Sequence, residues 1–203
     1  MGRIGERFSA LKESRETALV AFVTAGDPDL ATTGSIIMAL AEAGADLIEL
    51  GVPFSDPIGE GPTIQKSSER ALAKGTSLRS ILGLVGEVRA NVDIPLLLMG
   101  YANPIHAMGP GGFADAASSV GVDGIIVPDL PPEDGRAYYD ACREKGVDPV
   151  LLSAPTSSKE RLKKLVEETS GFLYHVSVQG VTGSRETLSR GIQDKVELAK
   201  SLG

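Results

Sequence analysis

The chain has 203 residues, 42% hydrophobic and 23% charged, with a formal net charge of −7. That length supports one domain with a real core, and the scattered Lys and Arg exclude the basic stripe of a nucleic-acid binder. The single cysteine, Cys142, excludes an intrachain disulfide framework and fits a reducing compartment. The charged N-terminus lacks the apolar core of a signal peptide, and no apolar run reaches membrane-span length. A cytoplasmic location is therefore expected.

Taken in chain order, Ile4, Phe8 and Leu11 have the spacing of a short amphipathic helix. The first strand is predicted at Ala18–Thr24, ending in the loop TAGDPD, and Ile36, Ile37, Leu40 and Ala43 then mark a helix. The second strand, Leu47–Val52, runs into the loop GVPFSDPIGEGP. A helical pattern opens at Ile64, and another runs through Leu78, Ile81, Leu82, Val85 and Val88. A third strand, Pro95–Tyr101, precedes the loop GYANPI and a helix near Phe113–Val120. A fourth, Gly124–Asp129, precedes PDLPPED and a helix near Gly135–Lys145. A fifth, Pro149–Ser153, leads through SAPTSS to Leu162, Leu165 and Val166. The sixth, Phe172–Ser177, leads through SVQGVTGSRE to Leu188, Ile192, Val196 and Ala199.

Short apolar strands alternating with amphipathic helices specify a parallel sheet with right-handed crossovers. The fold class is α/β, a TIM (β/α)8-type barrel, with about six of the eight units present in one domain over 1–203. The outer edges of the first and sixth strands are expected to lack neighbours and to favour self-association.

In such a barrel the chemistry sits where strands end, in the loops at their C-terminal side. Alternation along the second strand places Glu49 with Leu47 and Gly51, opposite Ile48 and Leu50. If Ile48 and Leu50 pack on helices, Glu49 points inward. It is then a general acid/base with a raised pKa, or a carboxylate satisfied by backbone N–H groups at the barrel mouth. Glu60, between Gly59 and Gly61, is a solvated loop acid or the second acid of a pair. The turn QGVTGSR, 179–185, offers backbone N–H groups to a phosphate or is simply a turn. Tyr174 shares a face with Phe172 and Val176, its hydroxyl reaching an acid in the barrel or water. His106 and His175 lack metal-ligand spacing, so no metal site is expected. Cys142 reads as an inert, buried or half-buried thiol. There is no Walker or dinucleotide glycine motif.

The segments FVTAGDPD (22–29), IELGVPFSDP (48–57), GPTIQ (61–65), LMGYANPI (98–105), GIIVPDLPPED (124–134), LLSAPTS (151–157) and GVTGSR (180–185) resemble, in order and spacing, the tryptophan synthase alpha chain family. The resemblance covers essentially the whole chain. It implies a TIM barrel lyase that cleaves indole-3-glycerol phosphate to indole and glyceraldehyde 3-phosphate by a retro-aldol reaction. The family's acid/base glutamate falls on Glu49, and its second acid, which holds the indole N–H, falls on Glu60. Substrate contacts fall on Phe22, Tyr101, Leu152 and Tyr174, with the loop threonine on Thr182 and a phosphate-binding amide on Gly183. Pro53 and Asp56 match positions that meet a beta chain. That partner carries the pyridoxal phosphate, and no cofactor is expected on this chain.

Three departures qualify the expected activity. The family's run is usually ADGP where this chain has GEGP, which lengthens the acid by one methylene and loosens the loop at Gly59. The chain stops at Gly203, before the GFGI-type and GSA-type loops that supply most of the family's phosphate site. Val178 and Gln179 stand where many members have Arg and often Thr. The alternative to a lyase is a weakly active or inactive module for folding or assembly. A different phosphate-binding barrel enzyme is disfavoured by the FSDP and TAGDP loops.

Overall fold

The inner and outer faces of one parallel sheet are set by the alternation of the second strand. In the computed structural model, which describes residues 2–177 and 192–203, strands β1 (Val20–Thr24), β2 (Leu47–Gly51), β3 (Leu96–Met99), β4 (Gly124–Ile126) and β5 (Asp148–Pro149) pair in chain order, all parallel. Strands β6 (Leu151–Ser153) and β7 (Leu173–His175) pair parallel beside them. Helix α1 (Arg3–Ser14) precedes β1. Between strands lie α2 (Leu30–Glu42), α3 (Pro62–Ala73), α4 (Leu78–Val88), α5 (Ala102–His106), α6 (Pro110–Ser119), α7 (Pro132–Glu144) and α8 (Lys159–Glu168), and α9 (Ile192–Leu202) closes the described chain.

Two apolar layers result. Outside the sheet, Ile48, Leu50, Leu96, Leu98 and Ile125 pack with Ile37, Ile81, Val85 and Phe113 of the helices. Inside, Leu47, Leu97, Ile126 and Val150 pack with Ile4, and Phe8, Leu152, Phe172 and Tyr174 border them. Helix α1 thus supplies Ile4 and Phe8 to the inner layer.

Strand ends differ from the expectation in instructive ways. The ladder of β3 stops at Met99 rather than Tyr101: the Gly100 N–H makes its last bond, to the Ile126 carbonyl, after which Asp129 Oδ1 takes the Ala102 N–H and Tyr101 becomes the N-cap of α5. Helix α5 itself replaces the loop expected at GYANPI; its Pro104 lies in the first turn, where a missing N–H costs nothing. The fourth strand ends at Ile126, where Val127 starts a turn closed by the Leu130 N–H. The fifth strand is interrupted at Val150. The Val150 N–H still donates to Ile125, but the Leu151 N–H is taken by the Thr169 hydroxyl at 3.0 Å. One continuous path therefore joins β4 to β7. At the far edge β1 leaves Leu19 58% and Phe22 38% exposed.

The N-terminal ends of the strands are held by a buried ion-pair cluster. Arg89 donates to the carbonyls of Gly121, Val92 and Ile94 and to Asp123 at 2.7 Å, and Asp123 also accepts from the Leu96 N–H and from Arg3. Removing one partner of a buried pair strands the other. Arg89→Ala is expected to cost roughly 3 kcal/mol in urea denaturation. Arg89→Lys should recover little, because an ammonium lacks the planar fork that serves several acceptors at once.

Candidate active site

The site is built from strand register. Phe22, Glu49 and Leu97 stand side by side across β1, β2 and β3, so all three face the same way. Ile48 and Leu50 pack in the outer layer, which turns Glu49 inward. Glu49 is 3% exposed, its Oε1 has no hydrogen-bond partner among the described residues, and burial pushes its carboxyl from 4.5 up to about 7. Among the described residues no backbone amide reaches that oxygen. Tyr174, on β7 and level with Leu152 of β6, has its phenol pKa raised by burial and then by the charges of Glu49 and Glu60.

Beside Glu49 a cleft of about 350 Å³, counting space open to solvent, lies at the C-terminal ends of β1, β2 and β3. Phe22, Thr24, Phe54, Glu60, Met99 and Tyr101 form part of its walls. Its lining reaches down β2 as far as Gly51 and stops short of Glu49. Gly51 leaves room for Phe22: a Cβ there would stand 2.5 Å from the tip of the Phe22 ring, which would have to swing aside.

The loops that form the rim are cross-braced. After β1, Gly26 donates to Thr33 Oγ1 at 2.9 Å, and Arg70 of α3 makes a bidentate contact to Asp27 at 2.8 and 2.7 Å. After β2, the Glu60 carbonyl accepts from the Gln65 side chain at 2.9 Å, and the Gly59 N–H donates to the Tyr101 hydroxyl at 3.0 Å. Tyr101 also stacks on Phe54, ring centroids 5.2 Å apart. Asp56 is exposed and accepts from Ser55 Oγ, whereas Pro53 is buried at the base of the loop.

Phe22, Glu49, Glu60 and Tyr101 thus belong to the inner face or the rim of the five-stranded sheet, and Leu152 and Tyr174 to the two-stranded sheet beside it, while Thr182 and Gly183 lie outside the described residues. Thr24, Gly51 and Met99 were not singled out by the sequence reading. Alternation from Phe22 to Thr24 and from Glu49 to Gly51 is the signal that finds the first two. His106 Nδ1 pairs with the Tyr138 hydroxyl and His175 Nδ1 with Ser153 Oγ, both outside the cleft. Cys142 is buried and its thiol is pushed up to about 11 by burial, an inert state. Among the described residues no group of three or more His, Cys, Asp or Glu is placed to hold a metal.

Parallel strands in chain order, with an inward acid below a cleft at their C-terminal ends, define a barrel of the TIM type. Comparison with known proteins narrows this further. The family described as "Tryptophan synthase alpha chain" matches residues 8–202, and the chain belongs to that family. The tryptophan synthase alpha chain of Citrifermentans bemidjiense is 52% identical over 196 residues, covering 97% of this chain and 73% of the relative. A tryptophan synthase structure from Mycobacterium tuberculosis superposes with a TM-score of 0.92 at 35% identity, covering all of this chain and 77% of that one. The a2b2 tryptophan synthase complex of Pyrococcus furiosus superposes with a TM-score of 0.80 at 40% identity, covering 91% of this chain and 73% of that one. The chain thus spans about three quarters of the length of these relatives. Among the described residues no helix is long and apolar enough to cross a membrane.

Burying Glu49 has a measurable pH signature. A carboxyl held near 7 in the folded chain and near 4.5 unfolded binds its proton more tightly when folded. Its contribution is therefore fully present below about 4.5 and is lost as pH rises to about 7, by roughly 3 kcal/mol at most. Urea denaturation of Glu49→Gln should show a stability gain over the parent that is larger at pH 8 than at pH 5; an equal difference at both would contradict the raised pKa. Gly51→Ala should displace the Phe22 ring and weaken indole binding about twofold to tenfold by titration, the cost of forcing a side chain off its rotamer.

Proposed function

We propose that this chain catalyses the retro-aldol cleavage of indole-3-glycerol phosphate to indole and glyceraldehyde 3-phosphate. One observation carries the reading: Glu49 is a buried carboxyl with an unpartnered oxygen and a pKa near 7, beside an apolar-walled cleft. A group with that pKa both holds and releases a proton at neutrality. Protonated Glu49 gives its proton to the indole C3 carbon, leaving positive charge on the ring nitrogen. The bond between C3 and the glycerol chain then breaks, its electron pair returns to the ring, and the adjacent hydroxyl loses a proton as it becomes the aldehyde.

Glu60, on the cleft wall, holds the indole N–H as that nitrogen becomes positive. Phe22, Tyr101, Leu152 and Tyr174 flank the ring, Thr182 orients the acid and the Gly183 amide contributes to phosphate binding. The resemblance supports these assignments, and inner-face register supports the strand-borne ones. We read 1–203 as one domain of the barrel, cytoplasmic, needing no cofactor of its own. Its proposed partner is a beta chain that carries pyridoxal phosphate, met by Asp56 at the exposed tip of the second loop and by Pro53 at its base.

The test is indole release from indole-3-glycerol phosphate by the purified chain, with and without a beta chain. Glu49→Gln should lower kcat by at least about 100-fold, the usual worth of a positioned general acid. The parent rate should fall as pH rises through about 7, where Glu49 gives up the proton it must donate. An undiminished rate in the variant removes Glu49 from the mechanism. A folded chain with no turnover under either condition favours the assembly-module alternative.

A further inference from the structure

We infer that Asp129 is a positioning residue for Glu60, acting along a strut that joins three successive rim loops. The inference rests on the reading of Glu60 as the second acid. Asp129 lies in the loop after β4, solvent-exposed and outside the cleft lining. Its Oδ1 accepts the Ala102 N–H at 2.9 Å. That amide opens α5 and has no carbonyl of its own helix to bind. Fixing it fixes the peptide between Tyr101 and Ala102, and with it the direction in which the Tyr101 side chain leaves the backbone.

The Tyr101 ring is then held flat against Phe54, and its hydroxyl accepts the Gly59 N–H at 3.0 Å. Gly59 is the residue before Glu60. One carboxylate on the fourth loop thereby sets a tyrosine on the third, which pins the second loop one residue before the acid. Burial first, then the charges of Glu60 and Asp129, raise the Tyr101 pKa, so the phenol stays neutral and keeps its own proton.

Glycine at 59 makes the strut matter more. A Cβ there would stand 3.4 Å from the Tyr101 hydroxyl, an ordinary contact, so space does not dictate glycine. What glycine adds is backbone freedom. The hydrogen bond from its amide removes part of that freedom where the acid needs a fixed place. A misplacement of about 1 Å costs on the order of 100-fold in a catalytic step, so a modest anchor has a large lever.

The alternative is that Asp129 merely caps α5. Two readouts separate the cases, amide exchange by NMR and steady-state indole release, on the parent chain and on Asp129→Ala, Asp129→Asn and Tyr101→Phe. With the strut, Asp129→Ala and Tyr101→Phe each speed exchange at the Gly59 amide about fivefold to tenfold, the loss of one ordinary hydrogen bond. The Gly26 amide, held by Thr33, is the unchanged control. Asp129→Asn retains an acceptor oxygen and keeps the parent protection. In turnover, Asp129→Ala lowers kcat about fivefold to tenfold with KM within about twofold, and costs nothing further in a Glu60→Gln background. Gly59 exchange unaffected by Asp129→Ala overturns the strut, whatever the turnover. Faster exchange with unchanged kcat, where Glu60→Gln itself is impaired, overturns the positioning role. If the parent chain releases no indole, the proposed function fails while the exchange arm still decides the strut.

Discussion

The parallel register of β1, β2 and β3 is the constraint on which the rest depends. Because side chains alternate with a period of two, sliding β2 by one residue would send Glu49 among the helices and bring Ile48 inward. Nothing local at Glu49 resists that slip; a buried carboxyl with an unpartnered oxygen is itself unfavourable. What resists it is the outer layer, where Ile48 and Leu50 are fully buried against α2 and α4. The apolar face of the strand therefore holds the polar one in place. The acid keeps its unusual protonation because its neighbours cannot move.

The same division of labour runs through the fold. The N-terminal ends of the strands are locked by Arg89, Asp123 and Arg3, where the Arg89 guanidinium serves three carbonyls and the Asp123 carboxylate. The C-terminal ends carry the loops, braced by single contacts such as Arg70 to Asp27 and Tyr101 to Gly59. Stability is concentrated at one end and chemistry at the other, the usual partition of a barrel of this type. At the edge, Leu19 just before β1 lies largely in solvent, while Phe22 is partly exposed where it joins the cleft wall.

Much of this was legible in the sequence, and the reasons are specific. The inward direction of Glu49 followed from Ile48 and Leu50 alone, since only one face of that strand can meet helices. The strand centres were equally clear, because short apolar runs bounded by Gly, Pro and Asp leave few other readings. Strand ends were not. Whether Tyr101 extends β3 or caps α5 turns on the Asp129 carboxylate, 27 residues beyond the Ala102 amide it accepts. The break at Val150 turns on the Thr169 hydroxyl, 18 residues beyond Leu151. Contacts of that reach leave no mark in a local pattern. Gly59 shows the same limit: read alone it loosens a loop, yet in the fold its amide is held by a side chain from the next unit.

The burial of Cys142 has a practical corollary. It is the chain's single cysteine, sits on the inward side of α7 and carries a thiol held far above neutrality. Such a sulfur does not meet a reagent in solution while α7 stays docked. Its rate of modification by a small thiol-reactive compound therefore counts openings of the helical layer, independently of any turnover. The chain carries its own clock for the undocking of one helix, readable by mass with no cysteine introduced.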